Sequence, residues 1–155
     1  MYELLVLIHI LGVLGFVLTH GVAAAMALRL RHERHPDRIR VLLQVSSSSL
    51  AVFYVSIGLL LVGGIWAGFD GDWWDQGWIW VALGLFVANL AFMWSYASSY
   101  YKRVREVMTI EESGGSAVGP DDLEAILRTS RPLVLATIGF ASIAFIAYLM
   151  VFKPF

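Results

Sequence analysis

The sequence predicts an all-α, polytopic membrane protein, an antiparallel four-transmembrane-helix bundle with both termini outside. Three observations carry this expectation. Hydrophobic residues make up 59% of the chain and charged residues 15%, whereas a soluble domain carries about 25% charged residues. The apolar residues collect in four uncharged runs, giving spans of about 4–28, 41–67, 77–101 and 132–152. A helix needs about 20 such residues to cross the hydrocarbon core, so each run is long enough. Ten of the eleven Lys and Arg residues fall in the connecting segments 29–40 and 102–131. Basic connections stay in the cytoplasm, so both of these loops face inward and both termini face out.

The first span, Leu4–Leu28, holds 25 residues without a charge. No basic residue precedes it and its apolar run exceeds that of a signal peptide, so it reads as a permanent span. Its strongly polar side chains are His9, Thr19 and His20. Eleven positions separate the histidines. At about 100° and 1.5 Å per residue they return to within roughly 20° of one face, about 16 Å apart along the axis. Gly12, Val13, Phe16, Ala23, Ala24 and Ala27 share that stripe, which should therefore face protein or a bound group.

The first basic loop carries five arginines, and Pro36 interrupts any helix through it. Asp37 is the expected N-cap of the second span. His32 and His35 have a metal-ligand spacing, but the surrounding positive charge opposes a cation and favours a solvated loop. In the second span, Gln44 and Ser46 to Ser49 should bond to their own helix carbonyls or bridge helices. Trp66, Trp73, Trp74, Trp78 and Trp80 mark the outer boundary, and Tyr100 and Tyr101 the inner one. Asn89 lies near the middle of the third span and needs a partner, for which His20 or a serine would serve. In the second basic loop, Glu111 to Ser116 have a linker composition, and 121–129 reads as a short amphipathic helix. Pro132 suits the first turn of the fourth span. Close helix contacts are expected at Gly12, Gly15, Gly58, Gly63, Gly64, Ala136, Gly139, Ala141 and Ala144.

The chain has no cysteine, which excludes thiolate metal sites, iron–sulfur clusters and covalent c-type haem. It has no catalytic motif and nothing that suggests nucleic acid. Imidazole inside a membrane is a functional-site hypothesis by default, so the leading expectation is b-type haem, with copper second, bound through His9, His20 or both. Such a protein would carry electrons or sense redox state. Ligands about 16 Å apart on one helix cannot share an ion, and the other spans hold no histidine. A second ligand must come from another copy of the chain or from methionine. Met93 matches the depth of His20, and Met150 that of His9. The second expectation is a cofactor-free accessory or structural subunit of a larger complex, its histidines bridging helices. The third is a small transporter or lipid-binding bundle using the serines and Asn89. Expected partners are the bilayer, anionic headgroups at the arginine loop, and a homodimer or larger membrane complex.

The opening Leu4-Leu5-Val6-Leu7-Ile8-His9-Ile10-Leu11-Gly12 resembles a family of small bacterial integral membrane proteins of unknown function. Pro36-Asp37 in the basic loop and the ending Tyr148-Leu149-Met150-Val151-Phe152-Lys153-Pro154 are similar to it too. Its relatives include the copper-resistance-protein-D-like membrane proteins. The resemblance implies a four-helix protein of the prokaryotic plasma membrane, with His9 in the matching motif and a link to copper or haem handling.

Overall fold

The structure, a computed structural model, describes residues 1–112 and 125–155. It is all-helical: α1 is Tyr2–Leu30, α2 Pro36–Asp70, α3 Gly77–Glu112 and α4 Arg131–Phe152. Lipid offers the backbone no hydrogen-bond partner, so an apolar run satisfies its own amides by coiling. By length and composition all four helices can cross a membrane. Two of them do more than cross. With 35 and 36 residues, α2 and α3 reach roughly 50 Å at 1.5 Å per residue. The hydrocarbon core is about 30 Å thick, so their ends stand beyond it.

The helix ends depart from expectation in two places. The N-cap of α2 is His35, with an extended backbone (φ −88°, ψ 120°), and Pro36 occupies the first turn. Proline suits that position because it has no amide hydrogen to leave unsatisfied. Asp37 therefore lies inside the helix, where it accepts from Arg40 at 2.9 Å. The second departure is α3, which continues through Lys102 to Glu112 instead of ending at Tyr101. Tyr100 and Val104 are buried with Leu30, Ile39, Leu43 and Leu127, so packing carries the helix past the apolar run. The Lys102–Glu106 pair at 3.8 Å adds a little on the exposed side. Of the expected linker Glu111 to Ser116, 113–116 lie outside the described residues, as do 121–124 of the expected helix 121–129; Glu111 and Glu112 end α3, and 125–127 are helical.

α1 packs along α2, α3 along α4, and α1 also touches α4. Along the first pair, numbers rise on α1 as they fall on α2. His9 meets Gly63 and Gly64, Gly12 meets Leu60, and Gly15 meets Ser56. Several polar side chains are buried while many large apolar ones face out. Thr19, His20, Ser56 and Asn89 are buried, while Leu14, Leu18, Val55 and Trp94 are 61–77% exposed. Outward-pointing large apolar side chains are expected of helices bathed in acyl chains, while Phe16, Leu30, Ile39, Trp78, Phe86 and Leu149 are buried within the bundle.

The two ends of the bundle differ. Near the α2–α3 turn, Trp74 makes ring contacts with Phe69 and Trp80, and Trp73 with Trp78. The Trp78 backbone N–H donates to the Phe155 carbonyl at 3.2 Å, and Lys153 Nζ sits 3.6 Å over the Trp73 ring. At the other end gather the arginines of the α1–α2 link. There the Glu33 carboxylate accepts the backbone N–H groups of Arg34 and His35. The His35 contact, then the Arg34 contact, hold its carboxyl below the usual range.

Two outcomes follow from this packing. Gly12→Ala puts a Cβ 2.7 Å from Leu60 Cα and should lower unfolding stability by about 1–3 kcal/mol in SDS titration followed by circular dichroism. Gly84→Ala, whose Cβ meets nothing within 4 Å, should leave it unchanged. At the basic end, a depressed carboxyl pKa contributes above the unfolded value and is lost as pH falls through the folded one. The amide NMR shifts of Arg34 and His35 should therefore titrate together, with a midpoint below the ordinary 4.5.

Candidate functional site

The polar interior of the bundle is built on two consecutive stretches of α1. In the first, His9 reaches across to α2. Its Nδ1–H donates to the Leu60 carbonyl at 2.8 Å. A carbonyl can only accept, so the contact fixes the ring proton on Nδ1 and leaves Nε2 as the basic nitrogen of the neutral ring. Gly63 and Gly64 make the approach feasible. A Cβ at Gly64 would lie 2.7 Å from Nδ1, and one at Gly63 would lie 2.8 Å from the Leu5 carbonyl.

Two turns further on, α1 presents Phe16, Thr19 and His20. The Phe16 ring lies 5.5 Å from Phe53 of α2 and 5.6 Å from Phe86 of α3, centre to centre. Thr19 Oγ1 donates back to the Gly15 and Phe16 carbonyls at 2.9 and 3.0 Å, which satisfies it within its own helix. His20 is 4% exposed. Its ring runs nearly parallel to Phe16, 10° off with centres 6.2 Å apart, and meets Phe140 of α4 edge-on at 5.0 Å. Its Nε2 edge is set against Gly139, where a Cβ would collide with the ring. Gly139 is thus a notch cut for an imidazole. The Nε2 atom is buried there with no hydrogen-bond partner among the described residues, and so is Asn89 Oδ1 on α3.

The expected ligand residues are therefore distributed, not gathered. His9 contacts Leu60, Gly63 and Gly64 of α2; His20 contacts Gly139 and Phe140 of α4. Met150 packs on the cluster of Trp78, Ala82 and Leu149, and Met93 is half-buried on α3. Among the described residues no three His, Asp or Glu side chains stand close enough to hold a metal ion. The donor geometry separates the two rings as haem or copper ligands. At His20 the Nε2 edge faces the Gly139 backbone, so an iron or copper ion does not fit there without moving α4. At His9 the arrangement would suit a ligand, because Nδ1 is tied to a carbonyl and Nε2 is left as the nitrogen that would coordinate.

Several contact partners lay beyond sequence reasoning. The Leu60 acceptor is a backbone carbonyl and leaves no mark in the side-chain pattern. Phe86 and Phe140 read as ordinary apolar residues. The serines behave as expected: Ser47, Ser48 and Ser49 donate to the carbonyls of Leu43, Gln44 and Ser46 at 2.8–2.9 Å. Ser47 also accepts from Arg105 Nη2 at 2.6 Å. His32 donates to the Leu28 carbonyl at 3.3 Å, and His35 is the α2 cap, so this pair shares no ligand geometry.

A family described as predicted integral membrane protein (DUF2269) matches residues 3–154 of the sequence. No curated protein and no solved structure matches it.

A double-mutant cycle tests the notch. Gly139→Ala alone should cost about 1–3 kcal/mol by overpacking. With His20→Ala present, the added methyl has room and should cost little, giving a coupling of about 0.5–3 kcal/mol. Additive effects in SDS titration would separate the two residues.

Proposed function

Because the chain belongs to the family described as predicted integral membrane protein (DUF2269), we propose that it is an accessory bundle subunit of a prokaryotic plasma membrane, working without a cofactor. In this reading the four helices form an antiparallel up-and-down bundle. Both termini lie outside, and the arginine-bearing ends of α1, α2 and α4 lie in the cytoplasm. The contacts of His9 with Gly63 and of Gly15 with Ser56 support the opposed direction of α1 and α2. The observation that carries the functional reading is the use made of the histidines. One nitrogen of His9 bonds to the next helix, and His20 fills a notch in another. Both rings then act as interhelical locks, a role for which buried polar side chains in membranes are worth about 0.6 kcal/mol on average. Such a subunit offers its exposed apolar faces to lipid and to partner helices of a larger complex.

One specific observation favours a second reading. His9, with Nδ1 held by the Leu60 carbonyl, has the geometry of a proximal haem or copper ligand. A b-type haem held there would supply one-electron transfer, and its other ligand would come from a second copy of the chain. Transport through the serine patch has less support, since the hydroxyls of Ser47 to Ser49 bond to their own helix.

The absorption spectrum and metal content of the protein purified from its own membranes in mild detergent decide between the first two. The accessory reading predicts no Soret band and far less than one iron or copper per chain. A Soret band, or stoichiometric copper, that is lost in His9→Ala would overturn it and establish the ligand reading.

A further inference from the structure

The last turn of α1, the link after it and the start of α2 border a cleft of about 610 Å³. Its charged walls are Arg29 from α1, Glu33 from the link, and Asp37 and Arg38 from α2. Val41 and Leu42 complete the lining where the apolar part of α2 begins. The chain turns as soon as α1 ends. The His32 N–H donates to the Arg29 carbonyl at 3.0 Å and the Glu33 N–H to the Leu30 carbonyl at 3.3 Å. Glu33 Oε1 then accepts the Arg34 and His35 amides, which fixes its carboxylate beside the N-terminus of α2. The His32 ring, bonded to the Leu28 carbonyl, also borders the cleft.

Two guanidiniums and two carboxylates thus line one concavity, and each keeps a group to offer. Arg29 is exposed, and its guanidinium makes no hydrogen bond or ion pair among the described residues. Arg38 stands 4.0 Å from Glu33 Oε2, too far for a hydrogen bond. Asp37 accepts from Arg40 through Oδ1 at 2.9 Å, which leaves Oδ2 open. Exposed pairs of this kind hold each other weakly, so a ligand that joins them displaces little. The volume lies within the about 300–1,000 Å³ of small-molecule sites.

The walls describe a ligand. Guanidinium forks match phosphate oxygens, and carboxylates match a cation that carries N–H donors. A primary ammonium has three such donors. A quaternary ammonium has none and is recognised over aromatic faces, yet no Trp, Tyr or Phe lines this cleft among the described residues. A headgroup that is only anionic meets two carboxylates as well as two guanidiniums. Val41 is 57% exposed, so the cleft opens onto the lipid-facing side of α2, where acyl chains can continue.

We infer that this cleft binds the zwitterionic headgroup of phosphatidylethanolamine, with the phosphate on Arg29 and Arg38 and the primary ammonium on Asp37 and Glu33. The acyl chains leave past Val41. A bound lipid braces the link between α1 and α2 from the membrane side. The inference goes beyond the proposed function. It requires that α1 and α2 cross the bilayer, and it holds for either direction of crossing and whether or not His9 carries a cofactor.

Native mass spectrometry of the full chain in a neutral detergent tests it, with phosphatidylethanolamine, phosphatidylcholine and phosphatidylglycerol of matched acyl chains as probes. One retained phosphatidylethanolamine is expected, in preference to both other lipids. Arg29→Gln should weaken its retention about fivefold, the effect of one arginine near a membrane surface. Arg38→Gln should do the same, and keeps the test open if Arg29→Gln disturbs the fold. Asp37→Asn should weaken phosphatidylethanolamine and leave phosphatidylglycerol unchanged or tighter, a split that general attraction of anions cannot produce. Arg103→Gln, a loss of charge on the exposed side of α3, should leave all three lipids as they were. Equal retention of phosphatidylcholine, or no effect of Asp37→Asn, would overturn the ammonium assignment. Tighter retention of phosphatidylglycerol than of phosphatidylethanolamine, or equal weakening in Arg103→Gln, would overturn the site and leave only diffuse charge attraction.

Discussion

All four helices meet at one turn of α1. Phe16 touches Phe53 of α2 and Phe86 of α3, and His20, four residues on, touches Phe140 and Gly139 of α4. Acyl chains are as apolar as leucine, so burying hydrocarbon gives these helices no reason to leave lipid for one another. What holds them is close packing and the satisfaction of polar groups, and both depend on how near the backbones come. The glycines at 12, 63 and 139 set that distance. The two on the α1–α2 seam bring backbone against backbone, and the third admits a ring edge.

From this seam the rest of the architecture follows. With α1 and α2 in register, His9 falls opposite the Leu60 carbonyl and Ser56 opposite Gly15. Ser56 and Thr19 bond back to carbonyls of their own helices, so their burial leaves no orphaned hydroxyl. His20 and Asn89 are the exceptions, each with one buried polar atom that lacks a partner among the described residues. These two atoms, beside those of Arg31, Trp74, Trp78 and Tyr100 nearer the bundle ends, are a cost that packing must outweigh. They also make this the region where substitution to apolar residues has most to gain in stability and function has most to reveal.

Much of the fold was legible before any coordinates. Four apolar runs and two basic connections specify four helices that can cross a membrane, because length and desolvation of the backbone leave no alternative. Helix ends were less legible. Asp37 has the side chain of a cap, yet Pro36 moved the start of α2 back to His35. Tertiary burial of Tyr100 and Val104 lengthened α3 beyond its apolar run. For the polar interior, the helical repeat placed His9 and His20 on one stripe but could not say what that stripe faces. α1 lies against α2 from His9 to Leu30 and meets α4 at His20, so residues on one stripe meet different neighbours. Depth matching paired His9 with Met150, whereas Met150 packs on Trp78 and Leu149. A shared depth constrains one coordinate of three.

The bundle thus has a polar interior organised by α1 and a cationic end organised by the α1–α2 link, joined by helices too long for the hydrocarbon core alone. The account depends on the histidine rings being engaged between helices. Solid-state NMR of the ¹⁵N-ring-labelled protein in lipid bilayers measures this directly, through dipolar contacts from each imidazole to labelled carbonyl and Cα carbons. The predicted result is a His9 ring protonated on Nδ1 with a contact to the Leu60 carbonyl, and a His20 ring in contact with Gly139 Cα. A His9 ring protonated on Nε2 without the Leu60 contact, together with a His20 ring that shows no contact to α4, would contradict it.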